Sequence, residues 1–171
     1  GKWSNIMFRR LLDGPFDGEL IAVNPARSEV EGQPCYASLR DVPGEVDYVQ
    51  LLVAREHTVD AVRDCVARKV PVVHVLSSGF GEVSGEGPGL QSALVEALAG
   101  GASALIGPNS LGLYSAGHGL CFSDGCHFDP GPVTFISQSG ALCTDVLAQG
   151  QIRGVKFSKV LSVGKIGRAH V

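Results

Sequence analysis

Apolar positions along the chain change period several times, and each change marks an expected element. Trp3, Ile6, Met7 and Leu11 recur at helical spacing within Gly1 to Leu12, with Arg9 and Arg10 on the outer face, which predicts a helix. Asp13-Gly14-Pro15-Phe16-Asp17-Gly18 breaks it. Glu19 to Val23 reads as a strand ended by Asn24-Pro25, and a polar loop follows as far as Pro43-Gly44. Val46 to Val53 reads as the next strand. Thr58 is expected to cap a helix reaching about Lys69, in which Val59, Val62 and Val66 share a face. Pro71 then opens a strand, Val72 to Leu76, as rich in valine as buried parallel strands are.

The segment Ser77-Ser78-Gly79-Phe80-Gly81-Glu82 follows at the carboxyl end of that strand. A glycine-rich loop (Gly85, Gly87, Gly89) leads into a helix carrying Leu90, Leu94, Ala97 and Leu98, which Gly100-Gly101 stops. Ala104-Leu105-Ile106 is a short buried strand, and Gly107-Pro108-Asn109 is turn chemistry directly after it. Strand and helix alternating at this rhythm imply right-handed βαβ units and a parallel sheet, an α/β fold. Ligands of such sheets sit outside the carboxyl ends of the strands, so the turns after residues 76 and 106 are the candidate site. Leu113 to Phe128 has little periodicity and reads as a loop, and Asp129-Pro130-Gly131-Pro132 reads as a linker. Val133 to Ser137 is a new strand, Gln138-Ser139-Gly140 turns into a helix bearing Ala141, Leu142, Asp145 and Val146, and about Phe157 to Val163 is a last strand.

Composition narrows the function classes. The 171 residues are 44% hydrophobic and 18% charged, enough to bury a core, and the net charge of -3 offers no electrostatic footprint for nucleic acid or an anionic membrane. No apolar run approaches the ~18 residues of a membrane span, and no signal-peptide pattern opens the chain. Five cysteines, at 35, 65, 121, 126 and 143, are odd in number and scattered, which suits reduced thiols and a cytoplasmic location better than a disulfide framework.

Taken in order, Val23-Asn24-Pro25, Gly32, Tyr36-Ala37-Ser38-Leu39, Val46-Asp47, Ser78-Gly79-Phe80-Gly81-Glu82, Gly107-Pro108-Asn109, Ile136-Ser137-Gln138-Ser139-Gly140-Ala141 and Phe157-Ser158-Lys159 form a specific set. The set resembles the NDP-forming acyl-CoA synthetases, of which the succinyl-CoA ligase alpha subunit is the best-known relative. The resemblance implies a Rossmann-like CoA-binding domain over 1–128 followed by the start of a flavodoxin-like domain over 129–164. It also implies the roles of individual residues. Asn24, Pro25 and Arg27 would line the nucleotide end of coenzyme A, with Arg27 (commonly Lys in the family) offering charge-assisted bonds to a phosphate. Val53 and Ala54 stand where the family usually has Val-Pro. Ser77, Ser78 and Gly79 would border the pantetheine arm, while Asn109 and Ser110 would face the thiol end. Ser139 and Gly140 begin a helix whose N–H groups would hold the phosphate of a phosphohistidine.

Other features carry less. His118, Cys121, Cys126 and His127 crowd together, but their spacing matches no common zinc finger, and no metal is expected. Ser139 lacks the glycine two residues earlier that a nucleophile elbow requires. Gly79-Phe80-Gly81 lacks a third glycine at dinucleotide spacing, since Gly85 falls one residue late. His57 reads as a helix-start residue and His74 as a core-strand residue. No catalytic residue is expected within the chain, because the family's phosphorylated histidine should lie beyond Val171. The resemblance also implies that the family's first strand precedes Gly1, and that 165–171, which resembles a translated sequencing adapter, is a non-native tail.

The expected parent is a ligase forming an acyl-CoA thioester from a small carboxylic acid, CoA and ATP. Its ATP and Mg2+ would be held by an ATP-grasp domain or beta-type subunit, in a homo- or hetero-oligomer. The alternative is a non-catalytic CoA- or nucleotide-sensing module fused to a protein acetyltransferase. A nicotinamide-binding Rossmann domain is a third reading.

Overall fold

The computed structural model describes residues 3–164. In chain order the elements are α1 (Trp3–Asp13), β1 (Ala22–Val23), β2 (Glu29–Val30), β3 (Gln33–Tyr36) and β4 (Tyr48–Leu51). Then come α2 (Arg55–Ala67), β5 (Val72–Val75), α3 (Gly87–Leu98), β6 (Ala104–Ile106) and β7 (Gly112–Ser115). The last are β8 (Val133–Ser137), α4 (Gly140–Ile152) and β9 (Phe157–Ser162). They divide into two compact units, one made of the stretch up to Ser38 with Leu111–Ser162, the other of Leu39–Ser110 with the segment from Val163.

The Leu39–Ser110 unit is the α/β heart of the chain. Strands β4, β5 and β6 lie side by side in sequence order, all parallel, with Leu51 opposite Val75 and His74 opposite Ile106. The chain returns from β4 to β5 through α2 and from β5 to β6 through α3, as parallel pairing demands. Val73, Val75, Val62, Cys65, Val70, Phe80 and Leu94 are fully buried together, with Leu51 and Val59 at the margin of the same cluster. Each such apolar side chain contributes about 1.5–3 kcal/mol on leaving water, so this cluster is what holds the strand ends in register.

Two helix starts differ from expectation. Helix α2 begins at Arg55 behind Ala54, and Thr58 lies inside it, fully buried, with its hydroxyl donating to the Ala54 carbonyl at 3.2 Å. A threonine that bonds back one turn satisfies its own oxygen and cannot cap the first amides, so the helix starts earlier than its apolar face announces. Gly87 and Gly89 belong to α3 rather than to the preceding loop, because Pro88 fits the first turn of a helix. Gly87 there lies against the Phe80 carbonyl and the Val83 side chain, where a Cβ would collide.

The other unit holds the larger departures. The expected strand over 19–23 shrinks to Ala22–Val23, which pairs in parallel with β3. The polar loop after Asn24 contains an antiparallel hairpin, β2 with β3, turning through Glu31 and Gly32 at φ 50° and 78°. Two successive left-handed residues make the twist that suits a two-residue hairpin. Leu113 to Phe128 is likewise no plain loop: β7 pairs antiparallel with β9, and β9 pairs in parallel with β8. Tyr114 is fully buried there and donates its hydroxyl to the His127 carbonyl at 2.7 Å, while Gln151 bonds both backbone groups of His127. Met7, Ala22, Ala116, Cys121, Phe122, Cys143, Leu147, Phe157 and Val160 are also buried in this unit. Arg10 turns inward instead of outward, its guanidinium donating to the Phe122 carbonyl at 2.8 Å and to Asp124 at 2.8 Å.

Candidate functional site

At the carboxyl ends of β4, β5 and β6 the chain makes three close turns. The first, Val53-Ala54, is exposed and apolar, with Val53 37% accessible. The second is the Ser77–Glu82 loop, and the third is the Gly107–Ser110 turn. Hydrogen bonds tie them together. The Ser77 hydroxyl donates to the Val53 carbonyl, and the Asn109 amide donates to the Ser77 carbonyl at 2.8 Å. The Ser110 amide reaches the Val75 carbonyl at 3.4 Å. Of the expected site residues, Val53, Ser77 and Asn109 are thus interlinked, Ser110 is buried and tied to Val75, Gly79 is half-buried, and Ala54 and Ser78 lie exposed.

Backbone conformation explains the residue types. Gly107 has φ 103°, and a Cβ there would strike the Val75 carbonyl oxygen; Asn109 follows at φ 55°, a region asparagine tolerates. Gly79 has φ 100°, and a Cβ would sit 2.9 Å from Cδ of Arg55. Arg55 crosses over this glycine, 3.5 Å from its carbonyl, and pairs with the exposed carboxylates of Glu56 at 3.0 Å and Glu86 at 3.8 Å. Sequence reading passed over Arg55, since a lone arginine at a helix start has no motif. Glu82 closes the Ser78–Glu82 motif, and nothing in the spacing of that motif gives it a role. Its carboxylate accepts from the Gly79 amide at 2.7 Å, the Phe80 amide at 3.1 Å and the Asn109 side-chain amide at 3.3 Å.

Beneath the Asn109 turn lies His74, fully buried on β5 as expected for a core residue. Its Nε2 is 3.1 Å from the Ser110 carbonyl oxygen, an acceptor, so the proton resides on Nε2. Burial drives the imidazole pKa down to about 4, against the smaller opposing effect of that carbonyl. Tyr48 stacks on the ring with centroids 6.3 Å apart, and burial raises its phenol well above the ordinary value.

The remaining expected positions belong to the other unit. Asn24 is half-buried: its amide donates to the Tyr36 carbonyl at 2.8 Å, and its side-chain oxygen accepts from the Ala26 amide at 2.9 Å. That turn presents Pro25 and Arg27 at the surface. The nearby Glu31 carboxyl is held below its usual range chiefly by its hydrogen bond from Arg9, with Asn5 and the charge of Arg27 adding to it. Ser139 caps α4, its hydroxyl accepting from the Leu142 amide at 3.2 Å, and Gly140 leaves no room for a side chain beside Leu111.

The cysteines correct one expectation. Cys121 and Cys126 form a disulfide, which the turn between them makes local, whereas Cys35, Cys65 and Cys143 are free. Burial raises the Cys65 thiol to about 12 and pushes the Cys143 thiol up as well, so neither is a thiolate at neutral pH. Among the described residues no helix is long and apolar enough to cross a membrane. The 165–171 tail lies outside the described residues.

Known proteins resemble this chain in sequence and fold. An acetate-CoA ligase (ADP-forming) I of Archaeoglobus fulgidus is 36% identical over 96% of the chain and 24% of its own length. The alpha subunit of acetate-CoA ligase (ADP-forming) II of Pyrococcus furiosus is 32% identical over 87% of the chain and 33% of its own length. The chain therefore spans about a quarter to a third of these curated relatives. A solved dinucleotide-forming acetyl-coenzyme A synthetase 1 of Ca. Korarchaeum cryptofilum, in complex with phosphate and ADP, superposes with a TM-score of 0.84 at 30% identity, over 96% of this chain and 35% of that one. Residues 130–169 match the succinyl-CoA ligase like flavodoxin domain. Residues 1–116 match the CoA binding domain, and the chain belongs to that family.

Proposed function

We propose that the chain is the CoA-binding part of an ADP-forming acyl-CoA ligase, whose parent joins a small carboxylic acid to CoA at the expense of ATP. The observation that carries this reading is the hydrogen-bonded junction of three turns at the carboxyl ends of β4, β5 and β6, where an α/β sheet takes its ligand. Exposed Val53 and Ala54 beside the hydroxyls of Ser77 and Ser78 suit a thin arm that is part hydrocarbon and part amide. In this reading Gly79 borders the same arm, and Asn109 and Ser110 border its thiol end. Asn24 and Pro25 shape the turn that presents Arg27, an exposed cation for a CoA phosphate. The start of α4 at Ser139 and Gly140 is the phosphate-facing element, and a phosphohistidine would come from chain beyond Val171.

The domain division we propose is 1–128 for CoA and 129–164 for the start of the flavodoxin-like part, supported by the family match that begins at residue 130. ATP and Mg2+ belong to an ATP-grasp domain or beta-type subunit. The relatives come both as one long chain and as a separate alpha subunit, which supports an oligomer of either kind. We place the parent in the cytoplasm, where CoA and ATP are both supplied.

Reading the source DNA outward through both ends of this segment, then expressing the contiguous protein, tests the proposal. We expect a downstream ATP-grasp part and CoA-thioester formation that requires a carboxylic acid. An acetyltransferase domain in that place, with no acid-dependent thioester, overturns the ligase and leaves a CoA-responsive module.

A further inference from the structure

We propose that Glu82 is a positioning residue of the CoA site: its carboxylate fixes the Ser77–Gly79 loop against the Asn109 turn before the pantetheine arm arrives. This rests on the CoA reading above. Three donors from two separate segments converge on one side chain. The amides of Gly79 and Phe80 lie 2.7 and 3.1 Å from the two carboxylate oxygens, and the Asn109 side-chain amide lies 3.3 Å from the first. Successive backbone amides aimed at one point form an anion-holding concavity, and here the chain fills it with its own carboxylate. Gly79 adopts φ 100°, a conformation open to glycine, and in it the Gly79 amide is paired with the carboxylate.

Phe80, within the first of these segments, is fully buried, and its carbonyl accepts from Val83 at 3.0 Å. The clamp is therefore seated on the core rather than hung from the surface. The Asn109 amide donates to the Ser77 carbonyl at 2.8 Å, so the two segments are joined by backbone on one side and by Glu82 on the other. With the carboxylate removed, Ser77, Ser78 and Gly79 keep their positions in the sequence but lose their common geometry. The ligand would then have to order them, and affinity falls by that ordering cost.

The test compares the 171-residue chain with E82Q and E82A by CoA titration calorimetry, together with amide NMR signals of Gly79 and Phe80. Loss of hydrogen bonds to a charged acceptor should raise the CoA Kd roughly tenfold or more in E82A. E82Q should fall between E82A and wild type, with both amide signals moved upfield. Formate added to E82A should fill the vacated concavity and restore part of the affinity, a rescue that general destabilisation would not allow. E82Q carries the comparison if E82A does not fold. Wild-type affinity in both variants overturns the inference alone. A tenfold loss in E82A that formate leaves untouched, with unmoved amide signals in E82Q, overturns it too. Absence of CoA binding by the wild type overturns the CoA reading itself, and the inference falls with it.

Discussion

His74 is fully buried on β5, held through Nε2 by the Ser110 carbonyl, and among the described residues its Nδ1 has no partner. Folded protein therefore resists protonating it, with a pKa near 4, while the unfolded chain takes the proton near the ordinary 6.5. A lowered histidine pKa means that the unfolded state binds protons first, so stability is full above about pH 6.5 and is lost as pH falls toward 4. At about 1.4 kcal/mol per pH unit the loss approaches roughly 3 kcal/mol. Urea unfolding at pH 7.5 and pH 4.5 should show this fall in wild type and a much smaller one in His74→Gln; equal slopes would remove His74 as the cause. Ser139 makes a separate residue-scale prediction. Ser139→Ala removes the acceptor for the Leu142 amide and should cost about 1 kcal/mol in thermal or urea unfolding. No measurable loss would mean that water serves that amide equally well.

Elements show how much the sequence made legible and where it stopped. β5, β6, β8 and the start of α4 are sharply bounded, and Pro71, Gly100-Gly101 and Ser139-Gly140 punctuate them, so they are legible within a residue or so. The β2–β3 hairpin escaped notice because its first strand is two residues long, below the length at which alternation can be seen. Its remaining signal was Glu31-Gly32, which lacks the usual Asn-Gly or Asp-Gly form. Gly32 at φ 78° should therefore matter more than its surface position suggests. Gly32→Ala should destabilise the chain by about 1 kcal/mol in chemical unfolding, through backbone strain alone since a Cβ there meets nothing. A neutral result would show that the hairpin turns differently in solution. β7 was missed for another reason: Tyr114 gains its burial by pairing with β9, far along the chain, and a local window carries no trace of that partner. α3 illustrates the opposite case. Leu94 was legible as a core position and is fully buried; Leu94→Ala should cost about 2–5 kcal/mol, read as a lower urea midpoint.

At the scale of the molecule, the chain's two compact units do not follow sequence order, since the first gathers residues up to Ser38 with Leu111–Ser162. Spacing and punctuation speak only of neighbours along the chain, which is why the α/β alternation was readable and this grouping was not. The candidate site divides the same way. Ser77, Gly79 and Asn109 follow from their places at strand ends, but the bonds that join them, Asn109 directly to Ser77 and Asn109 to Gly79 through Glu82, exist only once the chain has folded. The site's ligand came from the ordered motif set and agrees with the CoA binding domain match over residues 1–116. The measurement that bears most directly on this account is calorimetric titration of the 171-residue chain with CoA, repeated in excess NAD. The account predicts saturable binding of one CoA per chain, unchanged by NAD. Absence of CoA binding, or its displacement by NAD, would contradict it and return the chain to the dinucleotide-binding reading.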